Sequence, residues 1–339
     1  MAAVLSPISR VVATIGRLGT VRVMMLPWRE AWHEALYGPR GFYRGTTGPA
    51  GHFTTSTHGP LGQVLAEALG RLADREDVHH VVDVGCGRGE LLTHLAARRP
   101  DLRLTGADVV DRPADLPDAV AWLRCPGGAA LPDELTELDD VLVVAHEWLD
   151  VVPCTVAEVA PGRLAVVLVD PTSGEELPGP DLTADELAWC ARWWPVDDLP
   201  AGSRVEVGLS RDLAWHDLLA RVRQGTVLAV DYGHTRGNRP RGGTLTAYRS
   251  GAVVLPVPDG SCDLTAHVAV DSLEHDEVAT QREALHALGL ADDRPPHDLG
   301  HRDPAAYLAA LATASTVTAL TAPDGLGGFR WVLRRVVGA

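Results

Sequence analysis

The stretch VVDVGCGRGELLTHL at residues 81–95 contains three glycines at alternate positions, Gly85, Gly87 and Gly89. An apolar run precedes these glycines, and an apolar periodicity typical of a helix follows them. A glycine turn between a strand and a helix lets the backbone approach a ligand closely and points the helix N-terminus at that ligand. The pattern therefore predicts a strand–turn–helix unit that holds a ligand.

The spacing of the glycines distinguishes between two classes of ligand. A dinucleotide site uses G-x-G-x-x-G/A, whereas this turn is G-x-G-x-G and Glu90 stands where the third small residue would be. The Glu90 carboxylate would repel a pyrophosphate, but not a ligand with a sulfonium and an amino group. Asp83 precedes the turn, and Asp108 ends the next apolar run, where a carboxylate can accept hydrogen bonds from both ribose hydroxyls.

We therefore expect S-adenosyl-L-methionine as the cofactor, with an NAD(P)-dependent oxidoreductase as the less favoured alternative. The residues expected to bind the cofactor are Asp83, Gly85, Cys86, Gly87, Gly89, Asp108, Val109, Thr55, Ser56 and His146.

The bulk composition excludes several classes of protein. The 339 residues carry a formal net charge of -15, which opposes binding to phosphate backbones and predicts no nucleic-acid partner. All 30 basic residues are arginine, so Schiff-base chemistry through lysine and a Walker-type phosphate loop are excluded. The five cysteines show no CxxC spacing, and no apolar run reaches the roughly 18 residues of a membrane span. We expect a cytoplasmic protein with reduced thiols.

The order of apolar runs predicts an α/β protein. From Val81 onward, β-like runs alternate with helical ones, and several runs are apolar without strict alternation, as in a parallel sheet covered on both faces. Residues 155–170 predict a hairpin that turns at Pro161 and Gly162. The predicted organisation is an N-terminal helical and glycine-rich lid segment (1–79), the first half of a Rossmann-like core (80–150), an inserted cap or substrate element (151–205) and the second half of the core (206–339).

Polar side chains follow two of the predicted strands, where the carboxyl ends of the strands line the ligand crevice. Glu147 and Asp150 are able to bind a guanidinium with paired hydrogen bonds; alternatively, they cap the following turn or pair with surface arginines. His234 is a candidate general base, or else a loop histidine bonded to the backbone. The histidines lack the spacing of metal ligands, so no metal site is expected. The candidate catalytic residues are Glu147, His146, Asp150, His234 and His58.

An ordered set of motifs between about Leu36 and Leu273 resembles a known family. In chain order the motifs are ALYGPRGFYRG, GPAGHFTTS, VVDVGCGRGEL, AHEWLDVVP, AVDYGH, GGTLTAYR and DLTAHVAVDSL. They resemble the MidA-type class I methyltransferases, which include mitochondrial protein arginine methyltransferases that assist assembly of respiratory complex I. The resemblance implies a Rossmann-like fold with a seven-stranded, mostly parallel sheet, helices on both faces, an N-terminal helical extension and an inserted hairpin and helix.

The resemblance also implies S-adenosyl-L-methionine at the glycine turn, with its acid at Asp108. The family motif GDFxTSPE is matched by Gly51, Phe53, Thr55 and Ser56, and NExxDxxP is matched by Glu147, Asp150 and Pro153. The chain departs from these motifs where His52 replaces Asp, Thr57 and His58 replace Pro-Glu, and His146 replaces Asn.

These departures leave the methyl acceptor open. We expect transfer to a nucleophilic nitrogen or oxygen, either of a protein arginine or of a small-molecule natural product. In the second case His52, His58, His146 or His234 would be the base. The alternative is a non-catalytic S-adenosyl-L-methionine-binding assembly protein of the same fold. A homodimer is left open.

Overall fold

The computed structural model describes residues 24–45, 56–290 and 292–338. The helices within these residues are α1 Trp28–Tyr37, α2 Gly59–Glu76, α3 Glu90–Arg98, α4 Ala184–Trp193, α5 Leu209–Ala220, α6 Gln281–Ala287, α7 His297–Arg302 and α8 Pro304–Leu320. The strands are β1 Leu26–Pro27, β2 His80–Val84, β3 Arg103–Asp108, β4 Val120–Arg124, β5 Leu138–His146, β6 Thr155–Ala160, β7 Arg163–Val169, β8 Glu176–Asp181, β9 Arg204–Val207, β10 Val222–Asp231, β11 Gly233–His234, β12 Thr246–Arg249, β13 Ala252–Val254, β14 Asp263–Thr265, β15 Val268–Ala269, β16 Glu277–Thr280 and β17 Arg330–Val336.

A seven-stranded sheet forms the centre of the protein, in the order β16-β17-β10-β5-β2-β3-β4. The five strands from β10 to β4 are mutually parallel. Strand β17 is antiparallel to both of its neighbours. The predicted seven-stranded, mostly parallel sheet is confirmed.

Alternate side chains of the central strands fill separate cores on the two faces of the sheet. Val81, Leu142 and Leu228 face a core shared with α2, α3 and α8. Val82 and Val143 face the other core, which contains the apolar side of α5. Because both faces are covered, the strands have continuous apolar runs rather than alternating ones.

The inserted segment builds a second sheet, in the order β1-β7-β6-β9, with β8 paired to β7. The predicted hairpin is confirmed: Ala160 pairs with Arg163, and Gly162 adopts a left-handed φ of 75° at the turn. Strand β9 extends across the predicted boundary between 205 and 206 and belongs to this sheet. Strand β1 joins the sheet from the N-terminal side, so the segments predicted as separate parts share one sheet.

Helix α1 anchors the N-terminal segment beside the ends of the central strands. Trp28, Trp32 and Leu36 are spaced four residues apart, lie on one face and are fully buried. The indole of Trp32 donates a hydrogen bond to the Leu264 carbonyl at 3.0 Å. The last residue of the helix, Tyr37, is therefore held at a fixed position over the sheet. No helix in the described part of the chain is long and apolar enough to cross a membrane.

Candidate functional site

The glycine turn follows β2 and adopts a backbone that favours glycine. Gly85, Gly87 and Gly89 have φ angles of 71°, 61° and 79°. A Cβ atom on Gly85 would lie 3.1 Å from Trp148 Cδ1, and one on Gly89 would lie 2.5 Å from Leu116 Cδ1. Side chains at Gly85 and Gly89 would therefore collide with Trp148 and Leu116, and Gly89 leads directly into α3.

Asp108 ties the end of β3 to this turn. Its Oδ2 accepts a hydrogen bond from the Gly87 N–H at 2.8 Å, and its Oδ1 accepts one from the Val110 N–H at 3.2 Å. Burial raises the pKa of Asp108 to about 6, although backbone hydrogen bonds oppose the rise. Each carboxylate oxygen has a second lone pair, so the residue is still able to accept hydrogen bonds from a ribose.

A cavity of about 1230 Å³, including the part that is open to solvent, lies at the carboxyl ends of β2, β3, β4 and β5. Ten of the residues predicted for the site line it, namely His58, Asp83, Gly85, Cys86, Gly87, Asp108, Val109, His146, Glu147 and Asp150. Several other lining residues were not predicted from the sequence, among them Tyr37, Tyr43, Val110, Gly128, Trp148 and Asp263.

Two predicted site residues lie next to the cavity, and two lie outside the described residues. Gly89 is the residue before α3 rather than a lining residue. The Ser56 hydroxyl is 2.8 Å from His146 Nε2 and so holds that imidazole. Thr55 and the candidate base His52 lie outside the described residues.

The structure does not bring His234 to the cavity, contrary to its predicted role as a base. The residue is 3% exposed, and Arg239 Nη1 is 2.7 Å from its Nδ1. Its ring packs edge-on against Trp194 with 5.0 Å between the ring centroids. Burial, aided by the Arg239 charge, lowers the pKa of His234 to about 3. His234 is therefore a packed neutral side chain between the core and the inserted sheet.

Glu147 lines the cavity with a side chain that is 17% exposed. Its Oε1 is buried and receives no hydrogen bond from the described residues, and His146 Nδ1 lies 3.5 Å away without hydrogen-bond geometry. Burial raises the pKa of Glu147 to about 8, and the charges of Asp150 and Asp263 add to the rise. Burial lowers the pKa of His146 to about 4, so its imidazole is neutral at pH 7.

Asp150 and Asp263 flank Glu147. Asp150 Oδ2 accepts a hydrogen bond from the Thr265 hydroxyl at 2.8 Å, and Asp263 Oδ1 accepts one from the Tyr43 hydroxyl at 2.7 Å. Burial raises the pKa of Asp263 to about 7. Within the described residues, neither Glu147 nor Asp150 pairs with an arginine side chain, so the alternative role as partners of surface arginines does not apply to them.

Glu90 and His58 form the solvent-side rim of the glycine turn. Glu90 Oε1 lies 3.5 Å from His58 Nε2, and the N–H of Arg88 donates to Glu90 Oε2 at 3.1 Å. Burial would raise the pKa of Glu90, but His58 and backbone hydrogen bonds lower it below its ordinary value. The residue is therefore ionised at pH 7, which disfavours a pyrophosphate here and favours a cationic ligand. No group of three or more His, Cys, Asp or Glu residues in the described ranges could hold a metal ion.

Comparison with known proteins identifies the family. The family model described as "Putative S-adenosyl-L-methionine-dependent methyltransferase" matches residues 61–291. The chain belongs to this methyltransferase family. The match covers the glycine turn, the acid of β3 and the His146–Asp150 segment. The resemblance to MidA-type methyltransferases and the expectation of S-adenosyl-L-methionine are thereby confirmed.

Two kinds of relative support this assignment. The methyltransferase is 26% identical to "Protein arginine methyltransferase NDUFAF7 homolog, mitochondrial" of Drosophila melanogaster, over 78% of this chain and 69% of the relative. Its fold is similar to a Burkholderia thailandensis protein, a "likely methyl transferase" crystallised with S-adenosyl-homocysteine, at a TM-score of 0.72 and 20% identity over 93% and 89% of the two chains. A second, native crystal structure from that organism has a TM-score of 0.70 and 21% identity, over 92% and 87% of the chains.

Proposed function

We propose that this methyltransferase methylates a cationic nitrogen acceptor of the guanidinium type, as in an arginine side chain. The observation that carries the proposal is the Glu147 carboxyl group, which lines the cavity and pairs with no arginine of the described chain. A carboxyl group in a cavity without a cationic partner can accept paired hydrogen bonds from a planar cation with several N–H donors.

The surroundings of Glu147 match a cation rather than an anion. Asp263 contributes a second carboxyl group to the same cavity, and the Tyr37 and Tyr43 rings contribute aromatic walls. Aromatic faces attract guanidinium groups, and a bound cation would favour the ionised form of Glu147 over its neutral form. The printed name of the Drosophila relative, a protein arginine methyltransferase, agrees with this class of acceptor.

The cofactor fits the opposite side of the cavity. Gly85 and Gly87 of the turn line the cavity, Asp108 would hold the ribose, and Val109, Val110 and the backbone around Gly127 would surround the adenine. When bound there, S-adenosyl-L-methionine supplies an electrophilic methyl group on a sulfonium. Glu147 would orient the acceptor nitrogen and take its proton, and His146, held by Ser56, would remain neutral beside it.

Methyl transfer to a panel of acceptors tests the proposal. The panel contains arginine peptides, free arginine, lysine peptides and small hydroxyl compounds, and products are detected by mass spectrometry. We expect methylation of guanidinium acceptors, and at least about 100-fold lower kcat in Glu147→Gln because a neutral amide cannot accept the proton. Glu134→Gln, at an exposed position, is the matched control and should keep full activity.

Two results would contradict the proposal. Methylation confined to hydroxyl compounds, with Glu147→Gln unaffected, would instead favour His146 as the base of an O-methyltransferase. Binding of the cofactor without transfer to any acceptor would favour the non-catalytic assembly protein.

A further inference from the structure

Two buried carboxyl groups come together behind the acceptor side of the cavity. Asp150 follows β5, and Asp231 ends the neighbouring parallel strand β10. Asp150 is 3% exposed and Asp231 is 1% exposed, and the Oδ1 atom of each is buried without a hydrogen-bond partner among the described residues. Two ionised carboxylates at neighbouring strand ends would repel each other and leave both oxygens unsatisfied. One proton shared by the pair would remove the repulsion and satisfy both oxygens.

The remaining contacts of the two groups locate this proton. The second oxygen of each group is already engaged, Asp150 Oδ2 by the Thr265 hydroxyl at 2.8 Å and Asp231 Oδ2 by the Leu149 N–H at 3.1 Å. The two Oδ1 atoms are buried and receive no hydrogen bond from any other group. The shared proton thus lies between the two Oδ1 atoms.

Neighbouring charges favour the proton on Asp231. The ionisable groups around the pair are Glu147, Asp263, Tyr232, Tyr37, Tyr43, His267 and Arg211. Burial raises the pKa of both members, and the charge of Asp150 raises the pKa of Asp231 further. At Asp150, the hydrogen bond from Thr265 and the charge of Arg211 oppose the rise.

We propose that Asp231 is a positioning residue that acts as a neutral carboxylic acid: its O–H donates to Asp150 while its other oxygen holds the N–H of Leu149. The two bonds fix the turn that carries Glu147 and Asp150. This turn needs support because Glu147 has a φ of 51°, a left-handed conformation that is unfavourable for a residue other than glycine. The inference rests on the proposed function, since Glu147 is the residue that the turn presents to the acceptor.

The substitutions Asp231→Asn and Asp231→Leu distinguish a neutral acid from an ionised one. An asparagine amide reproduces both hydrogen bonds, so Asp231→Asn should keep kcat within about threefold of the wild type. Leucine reproduces neither, so Asp231→Leu should lower kcat about 10- to 100-fold. Affinity for S-adenosyl-homocysteine, measured by calorimetry, should change less than about threefold in both variants because Asp231 does not line the cavity. Asp231→Asn that is as inactive as Asp231→Leu would overturn the proposal.

Infrared difference spectroscopy detects the proton without any acceptor. The wild type minus Asp231→Asn spectrum should contain the C=O band of a protonated carboxyl group, which shifts in D2O. In the reciprocal variant Asp150→Asn, kcat should fall at least about 10-fold, because an amide offers only one oxygen to two donors. A spectrum without the band, or an active Asp150→Asn, would count against the neutral acid at position 231. If no guanidinium acceptor is methylated, the proposed function fails, whereas the infrared band still decides the protonation of Asp231.

Discussion

Gly87 is the residue at which ligand approach and backbone conformation can be tested separately. Its φ is 61°, and among the described residues a Cβ atom there would meet only Glu90 Oε2, at 3.4 Å. The cost of an alanine to the free protein is therefore mainly the left-handed backbone, about 1 kcal/mol. A loss of ligand affinity larger than this cost would come from a clash between the added methyl group and the ligand.

We predict that Gly87→Ala weakens S-adenosyl-homocysteine binding at least about tenfold, because the methyl group occupies the space that the ligand needs. Isothermal titration calorimetry measures this change. Gly162→Ala is the matched control: Gly162 has a φ of 75° at the β6–β7 turn, and nothing lies within 4 Å of its added Cβ. The control should lose similar stability and keep its affinity. Equal affinity in both variants would show that the ligand does not approach Gly87.

The ionisation of Glu147 predicts a pH dependence of catalysis. The carboxyl group has a pKa of about 8 in the folded protein and is neutral below that value. If it must be ionised to accept a proton, kcat/KM should rise as the pH rises through about 8 and level off above it. The profile of Glu147→Gln should lack this inflection. An unchanged inflection in the variant would assign it to another group.

Helix α5 connects separate parts of the site through one buried arginine. Arg211 is 2% exposed and donates hydrogen bonds to the carbonyls of Val152, His267 and Asp150 at 3.1, 2.8 and 2.6 Å. The helix thereby holds the segment after β5 and the segment before β15 together. These three hydrogen bonds depend on the planar guanidinium group with its five N–H donors, which a lysine side chain lacks.

We predict that Arg211→Met lowers the free energy of unfolding by about 3 kcal/mol, because three buried carbonyls lose a charged donor. Urea unfolding followed by circular dichroism measures the loss. Arg302→Met on α7 is the control: its side chain is 71% exposed and pairs with Asp298, so the change should be below about 0.5 kcal/mol. A comparable loss in the two variants would mean that Arg211 does not connect these segments.

At the scale of the whole molecule, buried acids make stability depend on pH. Glu147 and Asp263 have folded pKa values of about 8 and about 7, above the values near 4 expected in the unfolded chain. Between these limits the folded state binds more protons than the unfolded state, so the free energy of unfolding falls as the pH rises. His146 has a lowered pKa and affects stability only below about pH 6.5, in the opposite sense.

We therefore predict that the free energy of unfolding decreases from about pH 6.5 to about pH 8, with Glu147 contributing on the order of 1 kcal/mol. Urea unfolding at several pH values measures the slope. Glu147→Gln should have a smaller slope, whereas the exposed control Glu134→Gln should follow the wild type. A wild type whose stability rises over this range would contradict the raised pKa values.

The cofactor side of the site and the central sheet follow from local patterns in the sequence. The glycine spacing, the acid at Asp108 and the continuous apolar runs are local patterns, and the structure retains each of them because neighbouring residues impose them. The same patterns indicated Glu147 and Asp150, which follow a central strand. They also indicated His234, which follows strand β10. Its side chain packs against Trp194 and Arg239 and does not line the cavity.

The acceptor side of the site depends on contacts between residues that are far apart in the sequence. Tyr43 and Asp263 stand 220 positions apart, and Leu149 and Asp231 stand 82 positions apart, yet each pair is joined by a hydrogen bond. No local sequence pattern indicates the proton that Asp150 and Asp231 are proposed to share. The physical reason is that backbone turns and strands follow from nearest neighbours, whereas burial, desolvation and pairing of distant carboxyl groups exist only once the strands, α1 and α5 have packed.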